Sequence, residues 1–263
     1  MSLLGPLLSS GWEHPPGWGS GLRSPLNWDG AMAKEKESGM LDLKTPEGTV
    51  SGYLATPKTG TGPGLLVLHA WWGLNDVFKR VCDRLAMKGY TTFAPDLYHG
   101  AVASTIDQAE KVMKQLKPET ARGDILKSVR GLQAHPKVRG KRLGAIGFSM
   151  GAYWALRFAE DFPSDIGAVV VFYGTGDGEY SKTQAAVLGH FAEKDPYESA
   201  ESVREFEKVL RASGKSVEIH TYPGTTHWFF EKDRPDAYDG TAAETAWQRT
   251  VEFLTIHLHG KKL

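Results

Sequence analysis

Cysteine is nearly absent from the chain: Cys82 is the only one in 263 residues. A single thiol makes neither an internal disulfide nor a cysteine-based zinc site, so neither framework is expected here, and no metal site is assigned. Cys82 shares helical spacing with Val77, Phe78, Val81 and Leu85 and reads as a buried structural thiol. An excess of charge of either sign is lacking too, with 31 Lys and Arg against 31 Asp and Glu. Nucleic acid and anionic membranes are met by a basic excess or patch, so a zero balance speaks against both as partners. The short basic runs, Arg139 to Arg142 and Lys261 to Lys262, read as solvated ends of elements. No apolar run reaches the ~18 residues that a membrane span needs. The cytoplasm is the default compartment expected for such a chain, with a small molecule as the expected partner and a monomer or weak homo-oligomer as the expected state.

Regular period is missing from residues 1–39. The stretch "GWEHPPGWGSGLRSPLNWDG" is rich in Gly, Pro and Trp and follows neither helical nor strand spacing. It has no basic start leading into an apolar stretch, and it carries Glu13 and Asp29 beside one arginine, so it reads as neither a secretory nor a mitochondrial leader. A disordered extension is expected, and Met32, followed by "AKEKESG", is an alternative first residue.

What is present begins at Leu41. "LDLKT" and "GTVSGYLATP" read as an antiparallel pair joined at Pro46-Glu47-Gly48. "PGLLVLHA" is a continuous apolar run, as a strand buried on both faces requires. Asp76 to Gly89 has helical spacing, and "YTTFAPDLY" follows as a strand. Ile106 to His135 is helical, with breaks expected at Pro118 and Gly123. Then come strand "RLGAIGFS", a helix from Gly151 to Phe162, strands "IGAVVVFYG" and "AAVLGHFAEKD", a helix from Glu201 to Gly214, and strand "SVEIHTYPG". A last helix runs from Thr241 to His259, with Thr241 and Glu244 at capping-box spacing. Strands alternating with helices give an α/β class: one domain, residues 41–263, with a doubly wound, mostly parallel sheet and antiparallel first strands.

Between strand and helix stands Gly147-Phe148-Ser149-Met150-Gly151. Gly-x-Ser-x-Gly at such a junction is the nucleophile elbow of α/β-hydrolases. The turn is so tight that a Cβ at either glycine would meet neighbouring backbone. It lifts the serine hydroxyl clear of the sheet and aims the first helical N–H groups at the place where an oxyanion forms. Three residues alone recur by chance; the apolar strand before and the helix after give the motif its weight.

Serine needs a base, and the base needs an orienting carboxylate. In that fold they follow in the order serine, acid, histidine, each past the end of a later strand. Asp195, before Pro196, and His227, past "VEIHTYPGTT", occupy those places. Glu193 is a rival acid still within the strand end; His190 and His220 lie inside strands, and His257 and His259 on the last helix. The oxyanion would rest on the backbone N–H of Met150 and of Trp71, in the loop His69-Ala70-Trp71-Trp72-Gly73. Trp72, Tyr98 and Tyr173 are the aromatic residues expected around a substrate of modest size.

Together, the elbow, "HAWWG", "FAPDLYHG", "VVFYG", Asp195-Pro196 and "PGTTHWF" resemble the dienelactone hydrolase family over essentially all of 41–263. The resemblance implies a hydrolase of small esters or lactones that uses no cofactor and carries no large cap domain. It also marks departures. Where the best-known members have a cysteine nucleophile, this chain has Ser149, and where they have an oxyanion-loop glutamate it has Ala70. Their carboxylate-binding arginines are matched here by His99 and Glu231, so dienelactone itself is not the expected substrate. The competing reading is a non-hydrolytic relative that binds or senses a small ligand, against which the intact order of Ser149, Asp195 and His227 weighs.

Overall fold

A computed structural model describes residues 38–259. The expected extension falls outside the described residues as far as residue 37, as do Lys261 and Lys262. Ser38 and Gly39, assigned to that extension from sequence, are instead the first residues of β1 (Ser38–Thr45). They pair with Ala55 and Leu54 of β2 (Gly48–Ala55). Short polar sequence carries no period of its own here; the partner strand supplies the order.

The remaining strands are β3 (Gly64–Leu68), β4 (Thr91–Pro95), β5 (Leu143–Phe148), β6 (Ile166–Phe172), β7 (Ala186–Ala192) and β8 (Val217–Tyr222). They form one sheet in the order β1-β2-β4-β3-β5-β6-β7-β8. β1 and β2 run antiparallel, and β2 pairs antiparallel with β4; from β4 to β8 all pairings are parallel. Leu65 to Leu68 and Val169 to Val171 have no exposed surface, the burial expected of strands covered on both faces.

Helices α1 (Asp76–Met87), α2 (Ile106–Met113), α3 (Pro118–Ala134), α4 (Met150–Asp161), α5 (Ala200–Ala212) and α6 (Gly240–His259) supply the cover. Pro118 does begin a new helix, at the first position where its missing N–H costs nothing. Gly123 does not break it: α3 runs through that position with open space where a Cβ would stand. The capping box expected at Thr241 is also displaced. Asp239 takes the cap, its Oδ1 accepting the N–H groups of Thr241 and Ala242 at 3.0 and 2.9 Å, while Glu244 turns to Arg84. A carboxylate two residues earlier outcompetes the threonine for the positive end of the helix. Cys82 is fully buried on α1 and its thiol is pushed up to about 12 by desolvation. Among the described residues no insertion forms a cap domain, and no helix is long and apolar enough to cross a membrane.

Candidate active site

Ser149 stands between β5 and α4 with φ +50° and ψ −114°. A non-glycine residue in this region costs on the order of 1–3 kcal/mol, so the surroundings must impose it. They do so by crowding. A Cβ on Gly147 would overlap the Gly151 carbonyl, and one on Gly151 would overlap the Leu68 carbonyl at the end of β3. The Ser149 N–H donates to the Phe172 carbonyl at 2.9 Å, which ties the elbow to the end of β6.

The serine hydroxyl lies 3.0 Å from His227 Nε2. On the other side of the ring, Nδ1 lies 2.7 Å from Asp195 Oδ2. Asp195 follows β7 and His227 follows β8, so the two neighbouring strand ends bring acid and imidazole together. The second carboxylate oxygen of Asp195 accepts the backbone N–H of Tyr197 and of Glu198 at 2.9 and 3.0 Å, which fixes the acid. Asp195 and His227 side chains are 1% and 2% exposed, so their attraction is little screened by water. The rival acid Glu193 accepts the Gly224 N–H at 2.8 Å instead. His190 is buried between Tyr222 and Thr250, at 2.9 and 3.0 Å from their hydroxyls.

Met150 is the first residue of α4, where backbone N–H groups have no intrahelical partner. Trp71 lies in the loop after β3. His69 orders that loop: its Nδ1 is 2.6 Å from the Ala70 carbonyl oxygen, and its Nε2 accepts the Leu97 N–H at 3.3 Å. Desolvation holds this imidazole below its usual value, so it stays neutral, with one nitrogen donating and one accepting.

The three expected pocket aromatics are all buried. Trp72 packs against Trp71 and Trp228, Tyr98 donates its hydroxyl to Met150 Sδ at 3.3 Å, and Tyr173 donates to Glu231 Oε1 at 2.7 Å. Two further rings flank the histidine that the sequence did not single out. Tyr197 and Trp228 have centroids 4.9 and 5.1 Å from that of His227, and Trp228 stacks on Trp71. Their adjacency to Asp195 and His227 in the chain was the available signal. Glu198 was missed as well: nearly buried, it accepts from Thr175 and is pushed up to about 7, chiefly by desolvation. Among the described residues no group of His, Cys, Asp and Glu side chains forms a metal cluster.

His99 and Glu231 offer no cationic clamp. His99 is largely exposed and 3.4 Å from Asp124, while Glu231 is an acid with no exposed surface. The nearby Arg234 is occupied: its guanidinium lies 3.5 Å from the Trp72 ring centroid and donates to the Ser104 carbonyl.

Residues 50–258 match the model of the dienelactone hydrolase family. A protein of Aquifex pyrophilus called Protein usf is 36% identical over 230 residues, covering 83% of this chain and 98% of its own length. A protein of Aquifex aeolicus (strain VF5) that bears the name carboxymethylenebutenolidase is 33% identical over 228 residues, covering 83% of this chain and 98% of its own. Among solved structures, a dienelactone hydrolase-like promiscuous phosphotriesterase from metagenomic libraries has a TM-score of 0.75 at 21% identity. The match covers 85% of this chain and all of that one, and is a likeness of fold.

Proposed function

The chain belongs to the dienelactone hydrolase family, and from that premise we propose that it is a serine hydrolase of small carboxylic esters or lactones. The observation that carries the reading is the unbroken relay from the Ser149 hydroxyl through His227 to Asp195, at 3.0 and 2.7 Å.

In the reaction, His227 Nε2 takes the Ser149 proton as the oxygen attacks the substrate carbonyl. Negative charge gathers on the carbonyl oxygen and is met by the Met150 and Trp71 N–H groups, donors held in place before the substrate arrives. Asp195 keeps the proton of His227 on Nδ1 and stabilises the imidazolium. His227 then protonates the departing alcohol, leaving an acyl group on Ser149. Water, deprotonated by His227, attacks that ester; the bond to Ser149 Oγ breaks, the serine takes the proton back from His227, and the acid is released. In a lactone the leaving alcohol stays tethered to the acyl group and departs with it.

Serine in place of cysteine and Ala70 in place of a carboxylate support one another. A serine activated through His227 needs no further acid to manage a thiol, and a carboxylate in the oxyanion loop would oppose the developing charge. With His99 and Glu231 where a carboxylate-bearing substrate would need cations, an uncharged ester or lactone fits best.

The test is turnover of a short-chain p-nitrophenyl ester by the native protein and by Ser149→Ala. The variant is expected to lose about 10⁴-fold in kcat with its fold intact. Equal turnover in both would overturn the reading, and absence of fluorophosphonate labelling at Ser149 would turn it toward ligand binding without catalysis.

A further inference from the structure

Glu231 lies on the same turn as His227, four residues on, and has no exposed surface. Its Oε1 accepts the Tyr173 phenol at 2.7 Å, while its equally buried Oε2 has no hydrogen-bond partner among the described residues. Tyr173 is itself held tightly. It follows β6 with φ +37°, and its N–H donates to the His190 carbonyl at 2.7 Å. Its ring meets His227 with centroids 4.8 Å apart and Phe229 at 5.6 Å. Asp195 therefore fixes the imidazole through Nδ1, and the Tyr173 ring packs beside it at a tilt of 57°.

We propose that Glu231 is a positioning residue for His227, working as an uncharged acid whose bond to Tyr173 holds that ring against the imidazole. The inference rests on the hydrolase reading above. A carboxylate at this place would hold a full charge with no exposed surface and with no donor to one oxygen among the described residues, and the neutral acid escapes the cost of burying that charge. The charges facing it do not change this. Asp233 opposes ionisation, and Asp195 acts against negative charge at the Tyr173 hydroxyl. Arg234 favours ionisation, but its guanidinium is committed to Trp72, to the Ser104 carbonyl and, at 3.7 Å, to Asp233. Burial is the largest influence, and it lifts the acid to about 8 even though the Tyr173 hydroxyl, donating to Oε1, favours the ionised form.

Around neutral pH the proton stays on Glu231 and the turn stays closed through the bonds from Phe229 N–H to Thr226 carbonyl and from Glu231 N–H to Trp228 carbonyl. Loss of the proton at higher pH drives the new carboxylate toward water. It takes with it the turn that carries His227.

The experiment is the dependence of kcat and KM on pH, from 6 to 9.5, for hydrolysis of a p-nitrophenyl ester by the native protein, E231Q and E231L. Glutamine keeps an acceptor for Tyr173 and cannot ionise; leucine removes the acceptor. The native kcat is expected to fall reversibly, at least fivefold, as pH rises past about 8. E231Q is expected to stay within twofold of native kcat at pH 7 and to lack that fall. E231L is expected to lose at least tenfold in kcat at pH 7 with KM within twofold. The same alkaline fall in E231Q, or native kcat in E231L, overturns the proposal. If E231L does not fold, the E231Q profile decides alone. Fluorophosphonate labelling of native Ser149 is measured alongside: without label the hydrolase reading fails, whereas label with an unchanged E231Q profile sinks only this inference.

Discussion

Thr175 grips Glu198 twice, donating its hydroxyl to Oε2 at 2.8 Å and its backbone N–H to Oε1 at 3.4 Å. The contact joins the loop after β6 to the segment that begins with Asp195. Burial nevertheless dominates, and it lifts the acid from 4.5 to about 7. The folded chain thus keeps a proton that the unfolded chain releases, so native stability falls as pH rises between those values. Glu198→Gln keeps an acceptor for the Thr175 hydroxyl and escapes the loss. Its stability advantage over the native protein is expected to grow between pH 5 and pH 8 by on the order of a few kcal/mol. Urea titrations at both pH values measure this, and an advantage that does not change with pH refutes it.

Asp195→Asn separates geometry from charge. The asparagine carbonyl can still accept the N–H groups of Tyr197 and Glu198, so folding should survive. Its amide then faces His227 Nδ1 and forces the ring proton onto Nε2, toward Ser149. The base is lost, and kcat is expected to drop by about 10⁴ with little change in KM. Steady-state kinetics with a matched melting temperature decide it; a drop under tenfold would mean that Asp195 does not set the tautomer.

Gly147→Ala and Gly123→Ala should move stability in opposite directions. At Gly147 the new methyl meets the Gly151 carbonyl and the Ala152 Cα, and backbone cannot step aside cheaply. A cost of about 3 kcal/mol or more, or insoluble protein, is expected. Gly123 sits inside α3 facing open space, where alanine should add ~1 kcal/mol. Thermal melts of the two variants against native protein check both signs.

Cys82 is expected to resist thiol reagents in the folded protein. It has no exposed surface, and its raised ionisation leaves almost no thiolate at neutral pH. Native protein mixed with a disulfide reagent should release none of the coloured product over minutes, and the full equivalent in denaturant. Rapid native reaction would show that α1 opens readily.

The layers of the sheet were legible because buried strands and amphipathic helices must write their burial into apolar spacing. Ser149, Asp195 and His227 stood out for a different reason: each follows the carboxyl end of a parallel strand, in the chain order that the elbow motif calls for. What stayed hidden depends on which segments meet. Glu231 follows three aromatic residues, and nothing in that run tells that the Tyr173 hydroxyl, 58 positions away, arrives at its carboxyl. Tyr197 and Trp228 close on His227 from two separate loops. Gly123 was read as a break because propensity marks it so, while packing along α3 against β1, β3 and β4 carries the helix through.

The bonds of the relay span 32 and 78 positions of the chain and close across the ends of β5, β7 and β8. None of them can form within a single hairpin or helix, and the loops they close must await the pairing of parallel strands, which is slow. A chain that has collapsed and gained its helices, yet has not seated β8, has a serine with no base beside it. Returning hydrolysis during refolding would then trail the recovery of helical circular dichroism. It would report arrival of the last strand rather than compaction.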